Sequence, residues 1–154
     1  MDLPKEFNNA FQGQPWHGKS SLEIVEASDP AKVFSHWIPG AHSIAELVLH
    51  LTVWTEEALE RLQGKEAKEP LRGDWPAVSG TDLATWHTML ADFKMVHQNL
   101  LEYIKDLHGD QWQMMVADSG EALDVTIGSY SELVYGMIQH LAYHSGQISL
   151  LLKF

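Results

Sequence analysis

Apolar residues recur at helical spacing in four stretches of the chain. Near the start, Leu3, Phe7, Ala10 and Phe11 share one face, with Asp2 placed to cap and Pro4 inside the first turn. Gly13-Gln14-Pro15 ends that run. A long helix is predicted from the capping box Ser43/Glu46 to Leu62, closed by Gly64 as its C′ residue. Its stripe is Ile44, Leu47, Val48, Leu51, Trp54, Ala58 and Leu62, with Glu56, Glu57 and Glu60 on the charged face. A third helix starts at Thr81 or Asp82 and runs to Leu107, with Leu83, Trp86, Leu90, Phe93, His97, Leu100, Leu101, Ile104 and Leu107 facing inward. The capping box Ser129/Glu132 opens the last helix, whose stripe is Leu133, Met137, His140, Leu141, His144, Ile148 and Leu151.

The segments between are shorter or broken. Ser20 and Glu23 make a capping box for a short helix to about Ala27, Asp29-Pro30 starts a turn through Phe34, and Trp37-Ile38-Pro39-Gly40 interrupts the pattern. The connector Lys65 to Gly80 holds six charged residues and two prolines around Trp75 and reads as a loop. Gln113 to Val116 and Ala122 to Ile127 flank Asp118-Ser119-Gly120, and the alternation of Leu123, Val125 and Ile127 fits a small hairpin or an extended loop. The expected architecture is all-α: a single four-helix-bundle domain over residues 1–154 with a long first crossover.

Composition narrows the function. Ten Lys+Arg against twenty-one Asp+Glu give a net charge of −11, which repels phosphate backbones and anionic lipid. No nucleic-acid or membrane partner is expected. The acidic, polar opening Met1-Asp2-Leu3-Pro4-Lys5-Glu6 lacks the apolar core of a signal peptide, and no apolar run is long enough to span a bilayer, so a cytoplasmic protein is expected. With no cysteine, a transition metal has only histidine, carboxylate or water for ligands.

Two members of the last stripe are histidines one turn apart, His140 and His144. Two readings fit them. Both can be partly buried residues hydrogen-bonded to neighbours, or both can converge on one ion, which would satisfy two imidazoles that cost roughly 1–3 kcal/mol each if buried unpaired. His50, on the inner side of another long helix, supplies the third imidazole that a metal site in a bundle needs. His97 is the reserve ligand, though a satisfied core histidine describes it better; His87 falls at a stripe edge, and His17, His36, His42 and His108 lie in loops or at helix ends. Glu46 lies one turn before His50, Gln147 follows His144 at i+3, and Tyr143 follows His140 at i+3; each has a structural explanation that suffices. Cysteine nucleophiles, phosphate loops, nucleophile elbows and His-Glu-x-x-His are absent from the sequence.

Several runs together resemble the DinB/YfiT-like superfamily. They are Pro15-Trp16-His17-Gly18, His42-Ser43-Ile44-Ala45-Glu46-Leu47-Val48-Leu49-His50 leading to Trp54, Arg61-Leu62-Gln63-Gly64, and Gln139-His140 through Tyr143-His144-Ser145-Gly146-Gln147-Ile148. The resemblance spans nearly the whole chain. It implies a four-helix bundle whose three-histidine site carries over to His50, His140 and His144, a homodimer, and zinc or nickel as the ion. It also implies, for some members, transfer of a low-molecular-weight thiol such as bacillithiol, mycothiol or glutathione to a small-molecule substrate. The open alternatives are a metal-dependent hydrolase, a metal-binding or interaction module without turnover, and a bundle without metal.

Overall fold

The computed structural model describes residues 1–118 and 128–154. Five α-helices occur among them: α1 (Leu3–Phe11), α2 (Ser21–Glu26), α3 (Ile44–Leu62), α4 (Leu83–Lys105) and α5 (Tyr130–Leu151), with a short 3-10 helix at Gly109–Gln113. α3 packs against α4 and α5, and α1 against α5 and α4, so these four helices make the bundle while α2 lies in the first crossover. None of the helices is long and apolar enough to cross a membrane.

The helix starts follow local chemistry. Asp2 Oδ1 accepts from the Lys5 amide at 3.1 Å at the start of α1. Both reciprocal capping boxes form: Ser43 with Glu46 on α3 and Ser129 with Glu132 on α5. Asp82, not Thr81, caps α4 through the Thr85 amide. The third expected box is half made, because Ser20 accepts from the Glu23 amide while the Glu23 carboxylate pairs with Lys19 at 3.0 Å. α3 ends where Gly64 takes φ +87°, a left-handed conformation that strains other residues.

The core is one apolar cluster drawn from every helix. Phe11 of α1 stacks on His97 of α4 at 5.0 Å and meets Phe93 edge-on at 5.9 Å. α2 is pinned by Ser21, whose Oγ lies 3.1 Å from the Ala10 carbonyl and 2.7 Å from Ser145 Oγ on α5. Two side chains depart from the sequence expectation. Leu83 is 54% exposed, since it is the first residue of α4 and lies beyond the bundle's end. Glu57 is buried, not solvated, because the Lys65–Gly80 connector folds back over that side of α3.

The connector is held at several points. Glu57 Oε1 accepts from Arg61 Nε at 3.1 Å and from the Lys68 amide at 3.0 Å, and Arg61 Nη2 donates to the Lys68 carbonyl at 2.7 Å. Arg72 Nη2 reaches both oxygens of Glu56 at 2.9 Å, and the Ala67 amide donates to the Ala117 carbonyl at 2.8 Å. Just before α5, Met115 and Ser129 form an antiparallel bridge. The second half of the expected hairpin, residues 122–127, lies outside the described residues.

Candidate metal centre

His50 on α3 and His140 and His144 on α5 come together where the two helices pack, with one ligand nitrogen from each within 4.8 Å of the others. Helical spacing puts His140 and His144 on one face, and their ring centres are 4.6 Å apart. His50 faces both across the interhelical seam, at 4.9 Å from His140 and 4.8 Å from His144. His50 and His144 are buried and His140 is partly buried. Among the described residues this is the group of histidine and carboxylate side chains arranged to hold an ion.

The hydrogen bonds fix which nitrogen of each ring is available. His50 Nδ1 donates to the Asp74 carbonyl at 2.8 Å, so in the neutral ring Nε2 carries a bare lone pair. His144 Nδ1 donates to Gln147 Oε1 at 2.6 Å, with the same consequence for its Nε2. His50 Nε2 lies 2.9 Å from His140 Nε2. The neutral Nε2–H tautomer of His140 satisfies that contact by donating to His50, and a cation shared by all three rings would satisfy it in the proton's place. Tetrahedral zinc places its nitrogen ligands roughly 3.3 Å apart; His50 and His140 are at 2.9 Å, and all three ligand atoms lie within 4.8 Å of one another. The donor set therefore fits a divalent transition ion.

All three rings are held neutral, as metal ligation requires. Burial lowers His50 despite the opposing pull of Asp74, and burial lowers His144 despite its bond to Gln147. His140 is pushed down to about 3 by burial, reinforced by His144 and His50.

The surroundings come from the connector. The Trp75 indole stacks on His50 at 3.9 Å and, on its other face, on His42 at 3.5 Å, so it lies between the two imidazoles. Asp74 presents its carbonyl to His50 while its Oδ1 accepts from Trp54 Nε1 at 2.6 Å. Sequence reasoning missed both connector residues. The signal that was present is Trp75 itself: a large indole in a charged loop must find a surface to cover.

Several of the remaining residues singled out from sequence have structural partners. His97 is fully buried and neutral, lowered by burial to about 4; its Nδ1 donates to the Phe93 carbonyl at 2.7 Å and its Nε2 meets Thr55 Oγ1 at 3.1 Å. Glu46 is held by the Ser43 amide at 2.7 Å and by His36 at 2.9 Å. Gln147 orients His144, and Tyr143 is 65% exposed with its ring edge-on to His144. Trp16, His17, His87 and His108 are exposed.

His50 and His140 open onto a cavity of about 550 Å³, walled by Trp54, Leu133 and Met137, with Arg61 also on its lining. Comparison with known protein families gives a match to the model of the DinB superfamily over residues 16–148. No curated protein and no solved structure matches the chain.

Proposed function

The chain belongs to the DinB superfamily, and on that premise we propose that it is a divalent-metal-dependent enzyme that transfers a low-molecular-weight thiol to an electrophilic small molecule. The observation that carries the reading is the convergence of three neutral imidazoles, two with Nδ1 already committed, beside a cavity large enough for a substrate. His50, His140 and His144 would hold the ion, with zinc or nickel proposed because imidazole suits both. Bound there, a divalent ion supplies the charge that keeps a substrate thiol deprotonated at neutral pH.

The chain's own residues do the rest. Asp74 and Gln147 keep the imidazoles in the ligating tautomer, and Trp75 covers one face of His50 against water. The apolar wall of Trp54, Leu133 and Met137 excludes solvent from the thiol sulfur and packs the electrophile against it. Sulfur forms the bond to carbon, the leaving group departs with its electron pair, and the thiol proton goes to solvent. Hydrolysis is the second reading, because an ion held by three imidazoles would also acidify a bound water. The cavity's two carboxylates are committed elsewhere: Asp74 to the Trp54 indole, Glu132 to the α5 cap. A closed structural site is disfavoured because, among the described residues, a cavity and no fourth protein ligand adjoins the group. A cytoplasmic homodimer completes the proposal.

A screen of zinc- and nickel-loaded protein with glutathione, bacillithiol and mycothiol against a chlorinated nitroarene tests it. Metal-dependent thioether formation with at least one thiol, lost in His140→Ala, is expected. No thioether with any of the thiols overturns the transferase reading.

A further inference from the structure

We infer that Arg61 is the anchor for a carboxylate on the substrate, so that the cavity takes a thiol or acceptor with an anionic end held away from the reacting atom. This rests on the reading of the cavity as a substrate site. Arg61 is 5% exposed, and it is the cationic side chain on the cavity lining among the described residues. Its guanidinium carries five N–H groups. Nε donates to Glu57 and Nη2 to the Lys68 carbonyl, whereas Nη1 has no hydrogen-bond partner among the described residues. The Glu57 contact is single-pronged, because the same Oε1 also accepts from the Lys68 amide. A buried guanidinium on the cavity lining thus keeps N–H groups that these two bonds do not use, and a planar carboxylate is the matching acceptor.

Position favours the same reading. Arg61 follows His50 by eleven residues on α3, which returns it to the same face of the helix. The His50 and Trp54 rings are 6.4 Å apart and Arg61 Cζ is 5.7 Å from the Trp54 ring, so the guanidinium lies within about 12 Å of the His50 imidazole. The Trp54 ring bridges the two as an apolar floor. In a chain of net charge −11, an anionic substrate needs a specific cation to enter and stay. Glu57 pairs with Arg61 through one oxygen, and the two carboxylates that also line the cavity are bound elsewhere, Asp74 to Trp54 and Glu132 to Ser129.

Binding of mercaptooctanoate and mercaptooctanol, whose extended chains span that distance, separates the possibilities in wild type, Arg61→Gln and Arg61→Lys, each with and without cobalt. The acid should bind about tenfold or more tighter than the alcohol in wild type, in both metal states, and the preference should fall below about twofold in Arg61→Gln and survive in part in Arg61→Lys. The short pair mercaptopropionate and mercaptopropanol should show a smaller Arg61-dependent preference, because its chain spans less of that distance. Equal binding of the long acid and alcohol to wild type overturns the inference, even if Arg61→Gln fails to fold. So does a preference that persists in Arg61→Gln. Cobalt uptake with no preference removes the anchor and leaves the metal site; a preference without cobalt uptake does the reverse.

Discussion

The Trp54 indole and the Asp74 carboxylate are joined by a 2.6 Å hydrogen bond, and that bond positions the backbone carbonyl on which His50 depends for its tautomer. Asp74→Ala should release the carbonyl and weaken metal binding about ten- to a hundredfold, the usual cost of losing an outer hydrogen bond to a ligand. Asp74→Asn keeps an acceptor for the indole and should lose much less. Competition with a chromophoric chelator measures both, and equal affinity for wild type and Asp74→Ala would refute the role.

Trp75 is within stacking distance of His50, so its emission reports on that ring. Loading with paramagnetic cobalt should quench tryptophan fluorescence, and Trp75→Phe should remove a large share of the quenching although five other tryptophans remain. Quenching of the same size in Trp75→Phe would show that the indole does not lie against the ligand.

Buried His97 and partly buried His140 make the metal-free fold sensitive to acid. An unfolded histidine takes up a proton near pH 6.5, whereas burial holds His97 down to about 4 and His140 to about 3. Between those values the unfolded chain binds more protons than the native one, so stability is complete above about pH 6.5 and declines as the pH falls toward 4. His97 alone accounts for up to about 1.4 kcal/mol per pH unit in that window. Urea midpoints of the metal-free protein at a series of pH values should fall accordingly, and His97→Gln should flatten the decline. A wild-type midpoint unchanged between about pH 7 and 5 would contradict the assignment of these rings as neutral in the fold.

Glu57 and Arg61 form a buried pair whose members also hold the connector at Lys68. Removing one partner leaves the other charge buried: Glu57→Ala should cost about 3–5 kcal/mol by thermal or chemical unfolding. A double apolar replacement, Glu57→Met with Arg61→Leu, should cost clearly less. Comparable losses for the two would mean that the connector bonds, rather than the stranded guanidinium, set the penalty.

The bundle and its three histidines were legible because both depend on helical periodicity, which local sequence carries. Capping boxes at Ser43 and Ser129 mark where α3 and α5 begin, and the spacing of His140 and His144 follows from one turn of helix. Asp74 and Trp75 were not legible, since they act through the path of a loop fixed by distant contacts: Arg72 to Glu56, the Lys68 amide to Glu57, the Ala67 amide to the Ala117 carbonyl. The same contacts explain Glu57, whose place among acidic neighbours gives no hint that a returning loop buries it. Leu83 shows the complementary failure, in which an apolar residue continues the stripe beyond the end of what it packs against.

Elemental analysis of protein purified without a histidine tag tests the three-histidine site most directly. About one zinc or nickel per chain is expected in wild type, falling to background in His50→Ala, His140→Ala and His144→Ala while the helical circular dichroism is kept. Substoichiometric metal in wild type that is unchanged in the three variants would contradict it.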